Sequence, residues 1–378
     1  MTLKTVKIKE LCEFKYGKNL PEHSRIPGKY PVYGSSGRVG THSTYHVKGP
    51  GIIVGRKGTV GAIQWSKDDF FPIDTTYYVV HYPDKVDLRY LYYRLLPAGL
   101  ETMNSDAAVP GLNRTAAINH RISIFEDLPT QRKIASILSA YDDLIENNLN
   151  RIKLLEELAQ ITYEEWFVRF RIDGEELQID EETGLPEGWR KVKLKEVCKL
   201  IMGQSPKSEF YNETGEGLPF HQGVRKYGFR FPENDTWSTA GSRIAEKGDI
   251  LFSVRAPVGR LNMAIEKIIL GRGLAAIRHK NGYKSFVFYQ LQNKFFEEDM
   301  MGGGAIFNSV TKNDMERIEL VEADPSTMQR IKAILDPINE LIENLTKQNQ
   351  LLKEARDILL PRLMTGMIDV EKITIEKP

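Results

Sequence analysis

The sequence predicts an α+β protein written twice: two mixed α/β domains in tandem repeat, joined by two long helices packed as an antiparallel coiled coil with pseudo-two-fold symmetry. Three observations predict it. The letters LIEN stand at 144–147 and return at 341–344, the charge alternates along the chain, and two stretches poor in glycine carry one heptad pattern of apolar residues. The overall formal charge is +1, divided as +7 over residues 1–125, −9 over 126–182, +5 over 183–320 and −2 over 321–378. With 378 residues the chain is long enough to bury more than one core.

Taken in order, Val6-Lys7-Ile8-Lys9-Glu10-Leu11-Cys12 matches Val192-Lys193-Leu194-Lys195-Glu196-Val197-Cys198. The only two cysteines thus occupy one repeated position, which predicts two small core residues rather than a disulfide. Ile52 to Gly61 aligns with Ile250 to Gly259, each reading as a β-branched strand that runs into a glycine-bearing turn. A helical run from Tyr90 to Leu96 corresponds to Phe286 to Gln292, and Arg121 to Ile124 corresponds to Arg317 to Leu320.

After each globular part the period changes. Ile134, Leu138, Tyr141, Ile145, Asn148, Ile152, Leu155, Ala159, Thr162 and Trp166 follow steps of four and three, and residues 331 to 363 repeat the steps. Pro337 marks either the start of the second helix or a kink. Some 35–40 helical residues make a rod of about 50–60 Å. Its apolar seam needs a cover, and the equivalent helix of the same chain supplies one at least entropic cost. Asn148 and Asn349 each interrupt the seam, either meeting to fix the register or facing solvent at a splayed point. Residues 171–188, acidic with Gly and Pro, read as a linker, and residues 367–378 as a strand-like tail.

These repeats resemble the DNA specificity subunit (S subunit) of type I restriction-modification systems. The resemblance rests on Tyr30-Pro31-Val32-Tyr33-Gly34-Ser35-Ser36-Gly37, the strand and turn of Ile52 to Gly61, Gln131-Arg132-Lys133-Ile134-Ala135 opening the first long helix, and the closing LLPRLMTG. It implies target recognition domain 1 over 1–128, a first spacer helix over 129–170, the linker at 171–188, target recognition domain 2 over 189–323, a second spacer helix over 324–366 and a tail over 367–378. It also implies a protein that binds double-stranded DNA together with methyltransferase (modification) subunits and restriction/translocase subunits. The subunit itself holds no cofactor, and S-adenosylmethionine, ATP and Mg belong to the partners. The expectation of a cytoplasmic location comes instead from an N-terminus, MTLKTVKIKE, unlike an apolar signal segment and from the lack of a long apolar run. In the second half Leu218 to Arg225 replaces the Tyr-Pro-Val-Tyr-Gly stretch, a divergence suited to two domains reading different DNA.

The residues give independent support. Basic domains suit phosphate neutralisation and the counterion release that drives DNA affinity. No phosphate loop of the G-x-x-x-x-G-K-[ST] type occurs, and the G-x-x-G-x-x-G spacings at Gly34 and Gly55 are not the dinucleotide fingerprint. No Asn-Pro-Pro-aromatic tetrad is present, and the seven histidines, His42 and His46 included, lack metal-site spacing. What remains is recognition; the resemblance implies a non-catalytic subunit that directs adenine methylation and restriction, and two unlike readers held on a spacer imply a bipartite asymmetric target. The alternative is a tandem protein-binding scaffold without a DNA role. Arg56 and Arg255, in the repeated turns, are the candidates for reading guanine, and Lys57 for holding phosphate. Ser35, Ser36 and Arg38 follow in the first domain, and Gln222, Arg225, Lys226 and Arg260 in the second.

Overall fold

A computed structural model describes residues 2–103, 111–300 and 309–373, with the side chains of 296–300 excepted. The chain forms two units: residues 1–147 together with 349–378, and residues 148–348. Both long helices therefore contribute one half to each unit.

In the first unit Leu3–Lys7 pairs antiparallel with Arg121–Phe125. A four-stranded antiparallel sheet follows, in the order Cys12–Tyr16, Thr76–His81, Gly51–Gly55, Ile63–Ser66. The central strand Gly51–Gly55 is buried at every position, which is why its sequence, GIIVG, is apolar throughout rather than alternating. A second sheet orders Gly37–His42, Tyr30–Gly34 and Phe71–Pro72. The helix Leu88–Leu95, opened by Asp87 accepting from the Tyr90 amide, buries Tyr90, Leu91, Tyr93 and Leu95.

The second unit repeats this framework. Arg190–Lys193 pairs with Glu319–Glu322, and Cys198–Met202, Leu274–His279, Ile250–Ser253 and Leu261–Met263 form the four-stranded sheet. Its other sheet has five strands where the first unit has three. Even so, Leu218–His221 pairs in parallel with Ile268–Leu270 as Tyr30–Gly34 does with Phe71–Pro72, so the divergent stretch occupies the same place in the topology. Cys12 and Cys198 are free and buried, and burial pushes both thiols up to about 12, as expected of small core residues.

The first long helix spans Leu128–Phe167 and the second Pro325–Met364, 40 residues each, or about 60 Å of helix. The second starts earlier than Pro337. Asp324 accepts from the Ser326 and Thr327 amides, and Pro325 occupies the first helical position, where its missing N–H costs nothing. Pro337 thus lies inside the helix rather than at its start.

In each unit the helix halves run antiparallel. In the first unit Asp142 meets Arg356 at 2.7 Å, and three residues on Ile145 accepts from Asn349 at 3.4 Å. In the second, Arg230 reaches both Glu156 and Asn339, while Arg330 lies over the Trp166 ring at 5.1 Å. The seam is covered: Ile134, Leu138, Ile145, Ile152, Ala159 and Trp166 are buried, as are Ile331, Leu335, Ile338, Ile342, Leu345 and Leu363. Asn148 and Asn349 are buried with them. Arg356 occupies a seam position because Asp142 answers its charge, with Arg89 at 2.9 Å and the Tyr93 hydroxyl on the same carboxylate.

Residues 171–188 are not a bare connector. Arg171–Ile172 and Glu175–Glu176 form a hairpin through Asp173 and Gly174, both at positive φ, the Asp-Gly chemistry of a tight turn. Ile172 and Leu185 are buried in the same core as Trp189. The described part of the tail carries a short 3-10 turn, Val370–Lys372, instead of a strand. Among the described residues no helix is long and apolar enough to cross a membrane.

Candidate nucleic-acid interface

The repeated strand–turn has one hydrogen-bonding plan in both units. Gly55 donates to the Ala62 carbonyl and accepts from Gly61, and Ser253 does the same with Arg260 and Gly259. Gly61 sits at φ 72°, and a Cβ there would lie 2.3 Å from Leu100 and Glu101 backbone atoms, so only glycine lets the turn close. Residue 57 then bridges to Gly111, and residue 255 to Ser309. Lys57 and Arg255 are therefore counterparts, both exposed. The place of Arg56 is taken by Val254: the Arg56 carbonyl accepts from Leu112, and that of Val254 accepts from Val310.

Arg56 has a different setting from Arg255. Its Nε and Nη2 donate to the Asp74 carbonyl at 3.0 and 2.7 Å, and its guanidinium lies 5.4 Å from the Tyr16 ring centre. Two of its donors are thus spent within the protein. Arg114 lies on the same ring at 5.6 Å, so Tyr16, half exposed, carries two guanidinium groups. The loop that presents Arg114 is held from below: the Tyr77 hydroxyl donates to the Leu112 carbonyl at 3.0 Å. Burial, with the neighbouring Tyr16, pushes the Tyr77 phenol up to about 12, which keeps it a neutral donor.

Ser35 and Ser36 form the tip between Gly34 and Gly37, with Arg38 just beyond, and both Ser36 and Arg38 are exposed. Ser35 joins this tip to the strand–turn by accepting from the Thr59 amide at 3.4 Å, and its carbonyl accepts from Gln64 at 3.0 Å. Ser35, Arg56 and Lys57 are thereby brought together, whereas Arg38 lines a separate mixed-charge cleft with Lys67, Arg89 and Asp142.

In the second unit a relay of backbone bonds joins the loops: Gly273 donates to Gln222, Val254 to Gly273, and Val310 to Val254. Gln222 is exposed, and its side-chain oxygen accepts from Ser205 at 2.7 Å. Gln222 and Arg255 belong to this one cluster. Arg225 is exposed but tied to Asp235 at 2.8 Å, with Lys226 exposed beside it. Arg260 is exposed and lines a groove with Phe229, Phe288 and Phe295.

Arg114 and its counterpart Lys312 escaped the sequence reading. Each follows the residue that caps a short helix, Asn113 or Thr311, three positions beyond the bridge to Lys57 or Arg255. Extending the repeat alignment through these caps is the signal that finds them. Among the described residues no group of three or more His, Cys, Asp or Glu is placed to hold a metal ion.

Comparison with known proteins fits this framework. The family model described as type I restriction modification DNA specificity domain matches residues 2–157 and again 186–354. The chain belongs to that family. DNA target recognition is the role such specificity domains carry, and the two matches fall on the two copies of the sheet framework. A putative type I restriction enzyme MjaX specificity subunit of Methanocaldococcus jannaschii is 32% identical over 300 residues, covering 76% of this chain and 70% of that one. The MjaIX specificity subunit of the same organism is 25% identical, covering 77% and 71%. In fold, the chain is similar to the type I restriction-modification S subunit from M. genitalium, with a TM-score of 0.66, 19% identity and 96% of each chain covered.

If Arg255 reads a base, its loss has a distinct signature. Arg255→Ala is expected to cost about 1–3 kcal/mol on the cognate site and to relax one base position of one half-site only. Competition binding against single-base variants of the site checks it, and an equal loss on every sequence would assign Arg255 to phosphate.

Proposed function

We propose that this chain reads a bipartite, asymmetric DNA target and directs adenine methyltransferase and restriction subunits to it, acting without chemistry of its own. One observation carries the reading: a common sheet framework presents different side chains at equivalent positions. Lys57 stands where the second unit has Arg255, Arg56 where it has Val254, and Tyr16 where it has Met202. Two readers that differ in this way suit two unlike half-sites. The work is done in the cytoplasm, where the DNA is, and S-adenosylmethionine, ATP and Mg act on the partner subunits.

The long helices, each shared between the two units, are in this reading the spacer and the seat of the partners. Buried Asn148 and Asn349 suit a role in fixing their register, since a buried amide is costly unless it is bonded. Removing one heptad from each helix is expected to change the number of unspecified bases and leave both half-sites intact; altered half-site letters would contradict it. Docking of the methyltransferase is better supported by apolar residues than by the acidic charge of the helices. Leu144, Leu154, Leu158, Ile161, Leu351 and Ile358 are all at least half exposed. The stripe is repeated, since Leu154 and Leu351 hold equivalent heptad positions and are each 64% exposed.

The test is a modified-base map of DNA from cells carrying this chain and its methyltransferase, compared with cells lacking only this chain. Loss of one bipartite adenine-methylated motif is the expected result. Identical maps, with DNA binding by the assembled complex that is absent or insensitive to salt, would favour the protein-binding scaffold.

A further inference from the structure

Beside the loops of the second unit lies a cleft of about 420 Å³ lined by Lys199, Met202, Arg243, Glu246, Arg278 and Lys312, among others. We propose that it holds the sugar-phosphate backbone of DNA next to the base-reading loops, with Lys199, Arg243 and Lys312 as the phosphate contacts. The inference rests on the DNA-recognition reading and deepens it.

Charge is the first argument. Lys199 and Arg278 stand directly opposite each other on antiparallel strands, an arrangement that costs stability when the charges are alike. Asp249 answers Arg278 through two hydrogen bonds of 2.6 and 2.7 Å. Lys199 and Arg243 are exposed and, among the described residues, have no side-chain partner. Lys312 has only an exposed pair with Glu316 at 3.4 Å, and the one acid of the wall, Glu246, turns to Lys267 at 3.4 Å. Among the described residues the cleft is left with two unpaired cations, Lys199 and Arg243, and a third, Lys312, held only by its surface pair with Glu316.

Position is the second. The strand ending at Met202 leads to Ser205, which bonds the Gln222 side chain and the Arg272 amide. On the other wall, Lys312 lies three residues past Ser309, the bridge partner of Arg255. The cleft is thus continuous with the loops that carry Gln222 and Arg255. Comparison between the units is the third argument. The pair equivalent to Lys199 and Arg278 is Glu13 and Val80, so the cationic pair is no requirement of the framework.

The test uses the full chain assembled with its methyltransferase subunits. In the triple variant Lys199→Gln, Arg243→Gln, Lys312→Gln, the slope of log affinity against log salt is expected to fall by about 0.9 per phosphate lost, about 2.7 in all. The weakening should be equal for every second half-site sequence, with the methylated motif unchanged. Arg255→Ala is the comparison, losing sequence preference with the slope nearly kept. A triple variant that binds DNA with the unaltered slope overturns the proposal, and overturns it in favour of a free phosphoryl ligand if binding of inorganic phosphate is lost instead. Failure of the unaltered complex to bind DNA with any salt dependence would overturn the recognition reading itself, a distinct result.

Discussion

Glu156→Ala is expected to destabilise the second unit by about 3–5 kcal/mol, the cost of leaving a buried charge without its counter-charge. The Arg230 side chain is only 3% exposed and faces Glu156 at 3.6 Å. It also contacts the Asn339 amide oxygen, the face of Phe288, 3.3 Å from the ring centre, and the Tyr289 ring at 5.1 Å. The Tyr289 hydroxyl donates to the same Glu156 oxygen at 3.1 Å, so the truncation also orphans a buried phenol. Hydrogen exchange of the second unit's amides in rising urea measures the loss. Glu156→Gln, which keeps an acceptor for Tyr289, should lose less. Replacing both partners, Glu156→Leu with Arg230→Met, should be close to neutral because no charge is left buried. A loss below about 1 kcal/mol for Glu156→Ala would mean that water reaches the guanidinium.

The double variant Leu154→Glu, Leu351→Glu is expected to abolish assembly with the methyltransferase, weakening it roughly 100-fold or more while leaving the chain folded. Both side chains are 64% exposed, so a glutamate there costs folding little. In an assembled complex the partner would cover these positions, and a glutamate there would leave an unpaired charge in the interface, a penalty on the order of several kcal/mol. Because Leu154 belongs to one unit and Leu351 to the other, each single variant should impair docking on one unit and spare it on the other. Mass measurement of the co-expressed complexes reads this directly. Full stoichiometry in the double variant would move docking to another surface.

These outcomes depend on features of unequal visibility in the sequence. The seam from Ile134 to Trp166 and its repeat were legible because burial along a helix follows a fixed period, whatever the rest of the chain does. The equivalence of Lys57 and Arg255 was already implicit in the aligned strands. What no pattern revealed was that Arg56 spends its guanidinium on the Asp74 carbonyl, a contact between loops 18 residues apart in sequence. Nor could spacing bring Lys199, Arg243 and Lys312 to one cleft, because sheet order decides that. The role of Pro337 stayed open between a helix start and a kink because a proline there is locally disruptive, while the capping by Asp324 thirteen residues earlier is decided by the surrounding fold. The exposed leucines were hidden by the acidic residues around them, which dominate any count of charge.

The division of the chain into residues 1–147 with 349–378, and 148–348, has a consequence for synthesis on the ribosome. The second unit is continuous and has all its parts once Gln348 has emerged. The first emerges before it, yet lacks Leu363, Met364 and Val370, which share a core with Ile8, Tyr90 and Ile134. At about 5–20 residues per second, the intervening 201 residues take roughly 10–40 s to make. For that time Ile134 and Leu138 wait with part of their cover unmade. The domain translated first is the last to be finished, and a nascent chain stalled before residue 349 would offer that uncovered surface to chaperones and proteases.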